Sequence, residues 1–371
     1  MEMIFIKSYK NLWNNIVSDE NIRLAIYNAS HGNMKRKVLE NMKRDPDKYI
    51  EAVRGWIENF KPAEHTPKVI NDGISAKKRE IIVPTVCEHI VQHALMNVLR
   101  TILSKGMYEH SYASIPGRGC HKGMRTVRKW ITKDGRNCKY CLKIDIKKFF
   151  QSVDTGILQA MLFRKITDSK TTELISKILS TSEKGLPLGF YTSQWFANFY
   201  LQEFDHFVKE KLKVKHYIRY MDDMVFFGSN KRKLHEIKAE IEKYLKYNLE
   251  LSIKENWQIF RFHTRQGKGR FLDFMGFKFY RNRVTIRKKI TLKAMRKARR
   301  IAAKKNPTVH DARQMLTYIG WTKCTDTYMW LKRHILSRVD FKKLRKIISE
   351  HDRRNYHGIL QMQEQQKTLC C

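Results

Sequence analysis

Tyr220-Met221-Asp222-Asp223 lies between two short β-prone runs, His216-Tyr217-Ile218-Arg219 before it and Met224-Val225-Phe226-Phe227 after it, closed by Gly228. Such runs around a tight polar tip predict an antiparallel hairpin that lifts two adjacent carboxylates clear of a sheet. Neighbouring strand residues point to opposite faces, so only one of Asp222 and Asp223 can aim fully at a given point. The tetrapeptide alone is weak evidence, because it arises by chance. A third carboxylate upstream strengthens it. In Cys141-Leu142-Lys143-Ile144-Asp145-Ile146-Lys147-Lys148-Phe149-Phe150, the residues Leu142, Ile144 and Ile146 alternate with polar positions. That is the pattern of a half-buried strand ending in an aromatic pair. A strand carrying Asp145 beside a hairpin carrying Asp222 and Asp223 gathers like charges that repel and resist burial. Divalent cations resolve the conflict. Oxygen donors suit magnesium, and two ions roughly 3.5–4 Å apart stabilise the attacking and leaving oxygens of phosphoryl transfer.

Charge points to the partner. Lys and Arg total 74 against 36 Asp and Glu, a formal net charge of +38. A polyanion complements that charge, nucleic acid first and acidic membrane surfaces second. Arg287 to Lys305 holds ten basic residues and no acidic one. Leu292, Met295 and Ile301 with Ala298 and Ala302 give it an apolar stripe at helical spacing. It lacks the Trp or Phe anchors of a membrane-surface helix, so phosphate contact is the expectation. Met1 to Tyr9 is too short and mixed for a signal peptide, and no apolar run approaches the roughly 20 residues of a membrane span. The expectation is a soluble, cytoplasmic chain without a membrane partner. Seven scattered cysteines do not form a disulfide framework. Cys138-Lys-Tyr-Cys141 has metal-ligand spacing but no second pair at zinc-finger distance.

The remaining pattern is helix, basic hairpin, strand-rich middle, basic helical end. Leu12, Trp13, Ile16 and Val17, then Ile50, Val53, Trp56 and Ile57, recur at helical intervals. Around Ile74 to Pro84 a basic tip, Lys77-Lys78-Arg79, precedes Ile81-Ile82-Val83 and predicts a second hairpin. Val86, Ile90, Ala94, Leu95, Val98, Leu99 and Ile102 define a buried helix. Leu249, Leu251 and Ile253 alternate like a strand just before Lys254. Gly320 reads as a helix stop, and Asp340 as the cap of a helix running to His351. In Gly185-Leu186-Pro187-Leu188-Gly189-Phe190-Tyr191-Thr192-Ser193-Gln194, two glycines around a proline suit close backbone approach to a ligand, and the next helix offers its N-terminus to negative charge. The competing reading is a plain loop before a core helix. At Phe274-Met275-Gly276-Phe277 a glycine offers room for a nucleic-acid backbone.

Taken in order, these blocks resemble a reverse transcriptase, and specifically those of diversity-generating retroelements, from about Ala63 to the C-terminal helices. Lys78-Arg79-Glu80-Ile81 resembles the fingers hairpin; Ser111-Tyr112-Ala113 with Gly117-Arg118-Gly119 and His121 resembles the following block; Ile144-Asp145 and Tyr220-Met221-Asp222-Asp223 match the catalytic blocks. Gly189 to Ser193-Gln194 matches the GxxxSQ signature of that branch. The resemblance implies an α+β right-hand polymerase: N-terminal helices and fingers over residues 1–138, a palm with an antiparallel sheet over 139–284, and a helical thumb and tail over 285–371.

It also implies roles. Asp145 and Asp222, with the Ile146 carbonyl, would hold two Mg2+ ions, and Asp223 would support them. Lys78 and Arg79 would clamp the triphosphate of the incoming deoxynucleotide, an Arg fork suiting phosphate better than a point charge. Phe149 and Phe150 would line the nucleotide, the Phe150 ring excluding a 2′-hydroxyl. Lys254 would protonate pyrophosphate. Arg118, Gln194, Tyr220, Met275 and Gly276 would contact primer and template, and the helices after Thr285 would hold the duplex.

Leu188 departs from the broader pattern, in which group II intron and retroviral enzymes carry Gln. Leucine removes a polar constraint on the nascent pair, and the branch it resembles misincorporates opposite template adenines. The implied activity is error-prone cDNA synthesis from a template-repeat RNA (mutagenic retrohoming) in a ribonucleoprotein. Its further partner would be a small, basic, pentameric accessory protein, and its host a bacterium, phage or archaeon. The alternatives are a defence-associated (abortive-infection-type), retron or group II intron reverse transcriptase, or a non-catalytic RNA-binding protein with a polymerase fold. Neither NAxxH nor VTG, the usual retron signatures, occurs in the chain.

Overall fold

The computed structural model describes residues 8–30, 37–71 and 78–353. Among them the chain is a helix-rich α+β protein whose sheets are antiparallel. It divides into two compact units, one of residues 1–123 and 134–261, the other of 124–133 and 262–371.

The first unit contains a two-stranded hairpin, β1 (Lys68–Asn71) with β2 (Lys78–Ile81), and a four-stranded sheet. That sheet is built from β3 (Tyr140–Asp145), β4 (His216–Tyr220), β5 (Asp223–Gly228) and β6 (Gln258–Arg261), in the order β4-β5-β3-β6. Leu142, Ile144, Tyr217, Met224 and Phe226 are fully buried, which fixes the register: a one-residue slip would turn each of them over. Helix Val86–Leu103 forms as its periodicity requires. Thr85 and Glu88 make a reciprocal capping box at its start, and Ile90, Ala94, Leu95 and Leu99 are fully buried along it. Each such large apolar side chain contributes about 1.5–3 kcal/mol.

The second unit carries the sheet β7 (Leu272–Phe274), β8 (Phe277–Phe279) and β9 (Val284–Ile286). Its helices Lys288–Ala302 and Val309–Lys323 pack a separate core around Ala298, Ala312 and Met315. Asp311, nearly buried, caps the second helix through Thr308 and accepts from Lys297 and Lys304, both at 2.7 Å, which holds its carboxyl well below the usual range. The expected helices at Trp13–Ile16, Ile50–Glu58 and Lys288–Ala302 are present, and Asp340 accepts from the Lys342 and Lys343 amides to start its helix. No helix among the described residues is long and apolar enough to cross a membrane.

Three local expectations need correction. Lys78 and Arg79 are not at a hairpin tip but on β2, opposite Asn71 and Ile70; Lys77 lies outside the described residues. The partner strand escaped notice because Val69 and Ile70 are exposed, so no inside–outside alternation marks it. Leu249 is no strand residue. It ends helix Lys231–Leu249, continuing the buried series Leu234, Ile237, Ile241 and Leu245, and Glu250 turns left-handed to stop it. Gly320 does not stop its helix, which runs on to Lys323; a glycine in a helix interior weakens it without breaking it.

Candidate active site

Antiparallel pairing of β3 with β5 sets Asp145 directly across from Asp223. Asp222 occupies the turn between β4 and β5, where the Ile146 amide donates to its carbonyl at 3.3 Å. The Asp145 charge acts on the neighbouring Asp222 carboxyl. Asp145 and Asp223, 78 positions apart in the chain, are thus brought together by sheet register. The tip does what the sequence suggests: Met221 sits left-handed at φ 58°, a conformation that non-glycine residues adopt at a cost, and the chain reverses around it.

Two lysines answer this negative charge. Lys254 meets Asp145 in a salt bridge, and its own amide donates to the Asp145 carbonyl at 2.8 Å. Lys143, two residues before Asp145 on β3, reaches Asp223 Oδ2 at 3.2 Å. The other oxygen of that carboxylate, Oδ1, is buried with no hydrogen-bond partner. Burial pushes Asp223 up to about 7, with Lys143 opposing and the charges of Asp145 and Asp222 reinforcing. Burial also raises Asp222, aided by the Asp145 charge.

No three His, Cys, Asp or Glu side chains among the described residues are already arranged as a metal-ligand group. The donor chemistry nonetheless fits a hard divalent cation: three acceptor carboxylates, one oxygen of them orphaned, in mutual repulsion.

A pH dependence follows. Aspartate ionises near 3.9 in an unfolded chain. Asp223 keeps its proton in the fold up to about 7, so between those values the folded chain binds more protons and stability falls as pH rises. In metal-free buffer the melting temperature should fall from about pH 5 to about pH 8, and Asp223→Asn should flatten that fall. An identical slope in the variant would assign it to other groups.

The glycine loop is explained by protein backbone, not by a ligand. A Cβ on Gly185 would lie 2.2 Å from the Phe150 carbonyl oxygen, and one on Gly189 2.1 Å from that of Ile82, both glycines having positive φ. Leu186 N donates to Phe150 O and Ile82 N to Leu188 O, each at 2.7 Å. The loop therefore ties Phe150, the half-buried Leu188 and the strand bearing Lys78 and Arg79 to one another. The helix N-terminus that follows is not open to an anion either: Gln92 Oε1 accepts from the Tyr191 amide at 2.8 Å.

Other expected residues are placed as follows. Phe149 is buried in the core and Phe150 half-buried beside it, their rings edge to face. The Ile146 side chain is buried. Arg118 spends hydrogen bonds on the carbonyls of Tyr108 and Ser111, and so braces its own loop. Gln194 is exposed and Tyr220 half-buried. In the second unit, Met275 is buried with φ 51°, and the space beside Gly276 is taken by Trp321 and Ile290 rather than left for a nucleic-acid backbone.

Sequence reading missed Lys143, Gln92 and a buried polar group of Asn198, Asp205 and Arg219. Arg219 had a signal: a charged residue inside a strand of otherwise buried side chains implies a buried partner.

A family model described as reverse transcriptase (RNA-dependent DNA polymerase) matches residues 67–279, more than half of the chain and including every carboxylate of the cluster. The chain belongs to the reverse transcriptase family. It is similar to the group II intron-encoded protein LtrA of Lactococcus lactis subsp. cremoris, 27% identical over 44% of this chain and 29% of that protein. It is also similar to the retron Ec73 reverse transcriptase of Escherichia coli, 30% identical over 40% of this chain and 48% of that protein. The chain spans less than half the length of these two relatives. Among solved structures, apo telomerase from Candida tropicalis superposes with a TM-score of 0.48 at 12% identity, over 93% of this chain and 76% of that one, too distant to argue from.

Proposed function

We propose that this reverse transcriptase copies RNA into DNA by nucleotidyl transfer at Asp145, Asp222 and Asp223, in a right-hand polymerase of fingers (residues 1–138), palm (139–284) and thumb (285–371). The observation that carries the reading is the approach of these three carboxylates at the end of β3, in the β4–β5 turn and at the start of β5. Asp145 and Asp222, with the Ile146 carbonyl, would hold two magnesium ions, and Asp223 would support them. When bound, those ions neutralise charge developing on the attacking and leaving oxygens. Arg79 and Lys78, exposed on β2, present cations for a triphosphate. Phe150 closes the sugar side against a 2′-hydroxyl. Lys254, in its salt bridge with Asp145, would donate a proton to pyrophosphate. Gln194, exposed, and Tyr220, half-buried, would contact template and primer.

Within the family, the GxxxSQ run from Gly189 to Gln194 and the aliphatic Leu188 support a diversity-generating retroelement enzyme that miscopies template adenines. Leu188 offers the nascent pair shape and no hydrogen bond, and about 1.4 kcal/mol of lost discrimination is tenfold in error rate. Sequencing cDNA made on a defined RNA should show frequent adenine errors, reduced several-fold by Leu188→Gln. Equal error rates would remove Leu188 as their cause. The likeness to group II intron and retron proteins favours a second reading, a reverse transcriptase of that kind. A near-duplicate repeat pair differing at adenines in the flanking DNA would decide for the first.

The working state would be a ribonucleoprotein with a structured template RNA and a small basic pentameric protein. RNA affinity should fall about 10³–10⁵-fold between 50 and 200 mM salt if six to ten phosphates are contacted. Salt-independent binding would contradict that.

A further inference from the structure

Arg219 is fully buried on β4, immediately before the carboxylate turn. Its guanidinium grips Asp205, also fully buried, through Nε to Oδ1 at 2.9 Å and Nη2 to Oδ2 at 2.6 Å. This is the bidentate geometry that arginine alone among cations provides. Tyr217 donates its hydroxyl to the same Asp205 Oδ1 at 2.7 Å. The remaining nitrogen, Nη1, does something an ion pair does not require. It donates to the carbonyl of Met221 at 3.2 Å and to Asn198 Oδ1 at 3.1 Å.

Met221 is the left-handed residue that makes the turn, and Asp222 is the next residue. Asn198 in turn donates to the carbonyls of Ala113 at 2.9 Å and Gln194 at 3.1 Å. The Arg219 backbone is held from outside too, its carbonyl accepting from Tyr112 N and its amide donating to His110 O, both at 3.0 Å. One fully buried polar group therefore joins the carboxylate turn, the Ser111-Tyr112-Ala113 segment and the helix that follows the glycine loop.

We propose that Arg219, backed by Asp205 and relayed through Asn198, is a positioning residue that holds the Met221–Asp222 turn and ties it to the Ser111-Tyr112-Ala113 segment and the helix bearing Gln194 and Asn198. The proposal rests on the polymerase reading above. A buried charged pair is seldom a source of stability by itself, since well-packed apolar residues replace such pairs at little loss. The bond to Met221 gives this pair a second use. The turn conformation is unfavourable for methionine, and among the described residues Arg219 supplies the side-chain donor to its carbonyl. Rigid support from outside is what keeps reacting groups in register, and misplacement by an ångström far from the chemistry costs about a hundredfold in rate.

Arg219→Lys keeps a cation for Asp205, but one ammonium cannot reach Asp205, Asn198 and the Met221 carbonyl together. The full chain with its RNA should then melt cooperatively and bind RNA as wild type does. Its kcat for primer extension should fall about a hundredfold with KM for the nucleotide little changed. Mn2+ binding, read by electron paramagnetic resonance without any turnover, should weaken severalfold. Tyr217→Phe, which removes only a bond to Asp205, should leave kcat and Mn2+ binding intact. If Arg219→Lys does not fold, Asn198→Ala carries the same readouts.

Wild-type kcat and Mn2+ affinity in the substituted chain overturn the proposal. So does a parallel loss of RNA binding, cooperative melting and kcat in Asn198→Ala as well, which marks a role in folding alone. A wild-type chain that extends no primer sinks the polymerase reading instead, and the Mn2+ measurement still decides the positioning role.

Discussion

Asp222→Asn should abolish primer extension while making the metal-free protein more stable. The two effects share one cause. Asp222 is half-buried beside Asp145, and burial together with that neighbour's charge raises its pKa. An amide of the same shape removes the repulsion and keeps the backbone contact between Ile146 N and the residue-222 carbonyl. Stability at about pH 8 should therefore rise, as it does when a group kept for function is replaced. Chemistry should suffer far more than stability gains. Losing about 4 kcal/mol of transition-state stabilisation is about a thousandfold in rate. Paired thermal melts and extension assays check both halves. A variant that is less stable and also slow would mean that Asp222 is a structural residue.

The parts of this site that were legible in the sequence are those where local pattern and packing agree. Leu142-Ile144-Ile146 alternate because β3 is half-buried, so the strand and its Asp145 could be read directly. The hairpin at residues 216–228 declared itself through two apolar runs about a polar tip. What the sequence concealed are contacts made across long separations. Gly189 looked like a ligand-facing glycine because its partner, the Ile82 carbonyl, is far away in the chain. Gly276 misled in the same way, its space being taken by Trp321. Lys143 read as the polar half of a strand, and only the β3–β5 register reveals that it faces Asp223. Val69 and Ile70 formed an unseen strand because a two-stranded hairpin with exposed side chains has no core face to impose alternation. Helix propensity hid the opposite error at Leu249, where three residues of apparent alternation were the end of a long helical series.

Removing Arg219 altogether should give the largest stability loss in the first unit. Arg219→Met leaves Asp205 fully buried with only the Tyr217 hydroxyl to answer it. Breaking a buried pair from one side costs about 3–5 kcal/mol, because the remaining charge is stranded. For a unit of this size that is on the order of a 10 °C drop in melting temperature. Arg219→Met with Asp205→Leu should recover most of that loss, since no charge is then left behind. The double variant should still extend primers poorly, because nothing restores the donor to Met221. Recovery of both stability and activity would reduce the buried pair to packing. Failure to recover stability would place the cost in the lost hydrogen bonds to Asn198 and Met221 instead.

The most direct measurement is extension of a DNA primer on a defined RNA template by the full chain, with Mg2+ titrated from zero and Asp145→Asn alongside. The account predicts deoxynucleotide incorporation that follows the template, requires Mg2+, and vanishes in the variant while RNA binding persists. A wild-type chain that binds the RNA and incorporates nothing, or an Asp145→Asn chain that incorporates as well as wild type, would contradict it.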